Sequence, residues 1–182
     1  EASEKAVVWF GAKLQRTLLE IEDHFEKYRI SDALMAIYKL TWDDFCSWFL
    51  EMIKPGYQQP IDAETFAGAI NALENLMRLL HPFMPFLTEE IWQHISERSP
   101  KDALIINHWP TAKSFDANLI ADFEFAAEVI SGVRAIRKEK NISFRDAIEL
   151  KVINHEASSS QFDLLIAKLG NVSAVSYVTE QV

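Results

Sequence analysis

Between residues 133 and 145 the chain gathers five basic side chains, Arg134, Arg137, Lys138, Lys140 and Arg145, against one acidic side chain, Glu139. On a helix, Arg134 faces Lys138 at i,i+4 and Arg137 faces Lys140 at i,i+3, so two ridges of positive charge result. Such ridges suit the phosphates of a polyanion. They equally suit the carbonyl end of a helix, which favours cations whatever the function. Other chemistry is thinner. Glu90 and His94, at i,i+4, have the spacing to share a metal ion, but no third ligand stands nearby, and such pairs ordinarily support a surface helix. Asp43 and Asp44 diverge as helix neighbours and read as solvated surface. Cys46, among Trp42, Phe45, Trp48 and Phe49, reads as a small core residue. These aromatics, with Tyr38, have the means to stack bases, although core packing is the simpler expectation. There is no glycine-rich phosphate loop, no G-x-S-x-G and no H-E-x-x-H. No catalytic residue and no metal ligand is therefore assigned.

The elements that position these groups are mostly helical. Val7, Phe10, Leu14, Leu18, Ile21, Phe25 and Tyr28 recur at steps of three and four and predict a helix over 2–28. Ser31 is the expected N-cap of a second helix with Leu34, Tyr38, Phe45, Phe49 and Met52 inward, stopped by Pro55-Gly56. Asp62 caps a third, with Phe66, Ile70, Leu73, Met77 and Leu80 inward. His81-Pro82 ends it, and Thr88 is expected to cap a short helix beyond Pro85. Residues 98–115 read as a crossover with an extended piece at 103–106. Asp116 caps a fourth long helix with Ile120, Phe123, Ala127, Ile130, Val133 and Ile136 inward. The period then changes to that of a strand over 148–153. Ser160 and Asp163 form a capping-box pattern for a helix ending at Gly170, and 172–178 reads as a second strand. The expected fold is mainly α: an antiparallel helical bundle over 1–141, then a small β-α-β subdomain over 142–182.

Composition narrows the classes. The chain has 182 residues, 49% of them hydrophobic, which excludes disorder. No apolar run reaches the roughly 18 residues of a membrane span, and no secretory leader is visible. One cysteine excludes a disulfide framework and fits a reducing, cytoplasmic setting. The chain begins without Met and stops just after a strand, as a piece cut from a longer protein would. Net charge is −9, an awkward balance for a nucleic-acid partner, but residues 1–110 alone carry ten basic against seventeen acidic side chains. The basic segment is thus set apart from an acidic remainder.

The string LHPFMPFLTEEIW at 80–92, within 76–95, closely resembles the anticodon-binding domain of class I aminoacyl-tRNA synthetases. The valine, isoleucine and leucine enzymes share its outline. TWDDFCSWFLEMIKP at 41–55 and VISGVRAIRKEKNIS at 129–143 resemble the valine branch, as does Trp109-Pro110. Ser47 departs from the pattern, which usually has Asp there. The resemblance spans residues 5–178.

Expectations about function come with that resemblance. The chain would be the anticodon stem-loop binding region of a valine–tRNA ligase, with tRNA(Val) as partner. The isoleucine or leucine enzyme is the alternative, and a helical protein-interaction module without a nucleic-acid role is the reading from another class. The HIGH-like and KMSKS-like signatures, the editing insertion and the coiled-coil arm are missing. ATP and magnesium would therefore serve catalytic and editing domains elsewhere in the parent chain, a cytoplasmic monomer, and no cofactor belongs to this piece. Arg134 and Arg137 match family positions as tRNA contacts, as does Lys54; Lys13 and Arg16 fall in a segment resembling the family's basic first helix. Lys138, Lys140 and Arg145 join them on charge alone. Pro82 and Pro85 would fix a bend packed by Phe83, Phe86 and Trp92.

Overall fold

The computed structural model describes residues 2–99, 101–153 and 160–179. Two compact units are present, residues 6–115 and residues 1–5 with 116–182. Helix α1 (Ala2–Glu26) buries Trp9, Phe10, Leu14, Leu18 and Ile21. It ends in a Schellman motif: Arg29 N donates to His24 O (2.8 Å) and Tyr28 N to Phe25 O (3.0 Å). Tyr28 takes the left-handed position, φ 58°, and is exposed rather than inward.

The second helix is one rod of three parts, α2 (Ile30–Lys39), a π-helical stretch (Leu40–Phe49) and α3 (Leu50–Ile53). Its N-cap is Arg29, and Ser31 lies inside the first turn. Leu34 and Tyr38 are exposed, while Ala33, Ala36, Ile37, Leu40, Phe45, Phe49, Met52 and Ile53 are buried. The steps from Leu40 to Phe45 to Phe49 fit the wider turn of i→i+5 hydrogen bonding. Ser47 Oγ donates to Trp42 O at 2.9 Å, five residues back. Phe10 meets Phe45 and Phe49 at centroid distances of 5.4 and 4.9 Å, the aromatic centre of this unit.

Helix α4 (Ala63–Leu80) starts where expected, with Asp62 Oδ1 accepting from Thr65 N at 2.8 Å. Its buried side chains include Ala72, Leu76, Met77 and Leu79, whereas Phe66 is exposed. A Cβ on Gly68 would stand 2.7 Å from Val7 Cγ1, so glycine is what lets α4 approach α1. The Thr65 bond holds the Asp62 carboxyl below its ordinary value. The cap's contribution is therefore full above the unfolded carboxylate pKa and lost as pH falls through the lowered one. Asp62→Ala should lower the melting temperature at neutral pH, and Asp62→Ser should retain most of it. The gap between the Ala variant and the parent should narrow in acid; thermal melts at two pH values check this.

Helix α5 (Pro85–Ile95) begins at Pro85, not at Thr88, because proline at the first helical position costs no hydrogen bond. Thr88 is buried, its hydroxyl 2.8 Å from His81 Nδ1 and donating to Met84 O at 2.9 Å. Phe86 does not pack the bend: it is 91% exposed. Trp92 is fully buried, as expected. The 103–106 piece is a 3₁₀ turn (Leu104–Ile106) rather than extended chain.

In the second unit, α6 (Ala117–Glu139) is capped by Asp116 Oδ1, which accepts from Asn118 N at 2.9 Å and Leu119 N at 3.3 Å. Strands β1 (Ile148–Ile153) and β2 (Val172–Val178) pair in parallel across α7 (Asp163–Gly170), the expected β-α-β unit. The capping box does not form. Ser160 Oγ instead donates to Asp122 (2.8 Å) and accepts from Phe162 N (3.1 Å), and the Asp163 carboxylate accepts from the Tyr177 phenol. Burial, with that carboxylate beside it, pushes the phenol up to about 12, so it remains a proton donor at neutral pH. Helix α6 packs on α7, with Phe123 and Phe162 edge to face at 5.2 Å. The left-handed residue closing α7 is Asn171, φ 49°, rather than Gly170.

Candidate nucleic-acid interface

The end of α6 decides which of the basic residues face solvent. Over the last three turns of the helix the buried positions are Ile130, Val133 and Arg137, while Ile136 is exposed. Steps of three and four carry the inward stripe onto Arg137, one residue past the expected Ile136. Its guanidinium, 4% exposed, donates through Nε to Gly170 O (3.2 Å) and through Nη1 to Ser143 O (2.8 Å). Nη2 donates to Asp146 O (2.9 Å) and Asn171 O (2.8 Å). Arg137 is thus a buried cation solvated by four carbonyls, two of them at the negative end of α7. Four of its five N–H donors are thus engaged by carbonyls, and the side chain expected to meet phosphate is buried rather than presented to solvent.

A second Schellman motif turns the chain away from α6. Ile142 N donates to Arg137 O (2.9 Å) and Asn141 N to Lys138 O (3.4 Å), with Asn141 left-handed at φ 52°. The turn delivers Ile142 and Phe144 beside Arg134 and Lys138, both of these cations exposed. These residues line a groove of about 400 Å³, completed by Asn141 and the buried Arg137. Lys140 is exposed and lies 2.8 Å from Glu139 Oε1, and Arg145 is exposed on the following turn. Arg134 and Lys138 therefore form one outward ridge; the second expected ridge dissolves because Arg137 turns inward.

The remaining candidates lie in the other unit. Lys13 Nζ pairs with Asp44 Oδ1 at 3.2 Å, each side chain only 16% exposed. Burial pushes the Asp44 carboxyl above its usual range, opposed by Lys13, so Asp44 is not the solvated surface residue expected. Arg16 is half-buried on the same helix and acts on the same carboxylate. Lys54 is exposed at the end of α3, 3.4 Å from Glu51 Oε1. Cys46 is exposed, which corrects its expected place in the core. Trp42 in the π-helical stretch and Tyr38 in α2 are about half exposed, their rings stacked at 6.4 Å and 9°. Core packing thus accounts for Phe45 and Phe49 but not for these two.

Among the described residues no three His, Cys, Asp or Glu side chains converge, and His94 with Glu90, 3.7 Å apart, is an exposed pair. No described helix is long and apolar enough to cross a membrane. What the arrangement offers chemically is charge and an exposed ring, which is the equipment of a binding surface.

The chain matches a family model described as the anticodon-binding domain of tRNA ligase over residues 8–153. It is 57% identical over 182 residues to a valine–tRNA ligase of Christiangramia forsetii, covering all of this chain and 21% of that protein. It is 46% identical over 181 residues to the valine–tRNA ligase of Parabacteroides distasonis, covering 20% of it. The valine–tRNA ligase of Thermotoga maritima is 32% identical over 175 residues, 95% of this chain and 20% of that protein. The chain spans about a fifth of the length of these relatives.

Proposed function

The chain belongs to the anticodon-binding domain family of tRNA ligases, and on that premise we propose that it is the tRNA-gripping region of a valine–tRNA ligase. In this reading it holds the anticodon stem and loop of tRNA(Val), placing the acceptor end for aminoacylation by a catalytic domain elsewhere in the longer protein. ATP and magnesium act there, and catalytic and editing domains of the same chain are its standing partners. The parent is read as a cytoplasmic monomer. The names of the relatives support valine over isoleucine or leucine.

The observation that carries the reading is the outward ridge of Arg134 and Lys138 beside an open groove, inside the stretch that the family model covers. Both cations are exposed on the groove, and an A-form stem is recognised mostly through phosphates and shape, which supports phosphate contact there. Lys54, Lys140, Arg145, Lys13 and Arg16 are proposed as lesser contacts. Of these, Lys13 is partly neutralised by Asp44, and the acidic net charge opposes binding as a whole.

The test is an Arg134→Ala/Lys138→Ala double variant. Affinity for a synthetic anticodon stem-loop should fall, and the log–log salt dependence should flatten by about 0.7–0.9 for each phosphate no longer neutralised. In the parent enzyme, KM for tRNA should rise while KM for ATP and valine stays unchanged. If the two cations only satisfy the end of α6, the variant loses stability and keeps the parental salt slope. That outcome would remove them from the interface.

A further inference from the structure

We propose that the groove at the end of α6 seats one unpaired nucleotide of the RNA, its base on the Phe144 ring and its phosphate on Arg134 and Lys138. The proposal rests on the tRNA-binding reading above and goes beyond it by assigning a base contact.

Phe144 stands on the groove wall, 56% exposed. Its backbone is not loose: Phe144 O accepts from Asn171 Nδ2, and the preceding carbonyl, Ser143 O, accepts from the buried Arg137. The Arg137 guanidinium lies 5.5 Å from the ring centroid, so one cation backs the ring from within. The backbone on either side of the ring is thus fastened while the ring itself is held in water. An exposed ring on an anchored backbone is a stacking platform, since little backbone freedom is lost when a ligand lands on it.

The rest of the groove suits the remainder of a nucleotide. Its volume, about 400 Å³, falls in the range of roughly 300–1,000 Å³ typical of small-ligand sites. Ile142 adds an apolar wall, and Asn141 supplies an amide at the left-handed turn. Arg134 and Lys138 stand on the same groove, so phosphate and base contacts belong to one site. A base inside a duplex offers no open face. The occupant is therefore a splayed base of a loop, bulge or end rather than a stem pair.

Two variants of the 182-residue chain test this, with thermal melts confirming that each is folded. The probe is a synthetic anticodon stem-loop RNA carrying 2-aminopurine at successive loop positions. Phe144→Leu should weaken binding roughly five- to hundred-fold, the range for removing one base stack, with the salt slope unchanged. Phe144→Trp should retain affinity, and the fluorescence of the introduced indole should be quenched by the RNA. One 2-aminopurine position should report binding in the parent chain and fall silent in Phe144→Leu. If Phe144→Leu binds like the parent while Arg134→Ala/Lys138→Ala still flattens the salt slope, the nucleotide seat is overturned and the tRNA-binding reading stands. If neither set of variants changes binding, both fall. An indole left unquenched in the complex of Phe144→Trp with the RNA would also overturn the seat, even where Phe144→Leu is too unstable to assay.

Discussion

Arg137→Ala should destabilise the unit built from α6 and the β-α-β segment by about 2–4 kcal/mol. The magnitude follows from what the guanidinium leaves behind. Its departure strips donors from four carbonyls, Gly170, Asn171, Ser143 and Asp146. Gly170 is buried and cannot turn to water, and such an orphaned acceptor costs about 1–3 kcal/mol. Ser143 and Asp146 are exposed and recover part of their loss by hydration. Arg137→Lys should rescue less than half of the effect, because an ammonium is a point donor and does not fork across four acceptors. Urea unfolding followed by circular dichroism gives the comparison, and an Ala variant with the parental midpoint would contradict this account. Stem-loop RNA binding supplies the second arm. At a temperature where the variant is folded, its salt slope should equal the parent's. A slope flattened by about 0.7 would return Arg137 to the phosphate-contacting set.

Arg137 also marks where sequence reading stops short. The start of α6 at Asp116 and the inward Ile120, Phe123, Ile130 and Val133 were legible, whereas Ile136, read as inward, is exposed. Ile130 and Val133 are buried, and the same period extends four residues to 137. A cation at that position conceals the continuation, since charge is normally read as surface. What overrides the charge is non-local: the carbonyl end of α7 and the 143–146 turn, brought together only by folding. One signal was present. An arginine on the inward phase of a helix, followed shortly by Asn141, asks what carbonyls it serves.

The second helix shows another limit. Its extent, read from a Ser31 cap to the Pro55-Gly56 stop, lies within two residues of the observed Ile30–Ile53, but its buried face was not legible, because α-helical steps do not run throughout. Within the ten residues of π-helix Trp42 faces outward while Phe45 and Phe49 stay in, and Tyr38, just before it in α2, is exposed as well. Nothing in LTWDDFCSWF forces the wider turn locally; the match of Phe45 and Phe49 to Phe10 selects it. The Asp62 and Asp116 caps were read correctly, their chemistry being local, whereas the caps expected at Ser31 and Thr88 fall inside helices that start earlier. Ser160 was also misread, because Asp122, distant in sequence, takes its hydroxyl.

Trp92→Ala should cost about 3–5 kcal/mol, the range for truncating a buried aromatic, whereas Phe86→Ala should change stability by no more than about 0.5 kcal/mol. The two residues share the most recognisable string of the chain, yet their surroundings are opposite. Phe86 is 91% exposed near the start of α5, where Pro85 fixes the turn without help from the ring. Trp92 is fully buried, and its Nε1 donates to Asp102 O at 2.9 Å, tying α5 to the crossover. The Arg98 guanidinium lies 3.5 Å from the indole ring centroid and that of Arg78 lies at 4.7 Å. Arg98 in turn pairs with Glu74 on α4 and donates through Nε to Trp92 O at 3.0 Å. The indole is therefore the surface on which α4, α5 and the crossover meet two cations, and truncation releases all three elements at once. Trp92→Phe should recover part of the loss, since a phenyl ring keeps a weaker cation–π contact but has no N–H for Asp102. Comparing the urea midpoints of the three variants separates packing from hydrogen bonding. A Trp92→Ala chain that melts with the parent, or a Phe86→Ala chain that falls as far as it, would overturn this division of the string into a buried support and an exposed face.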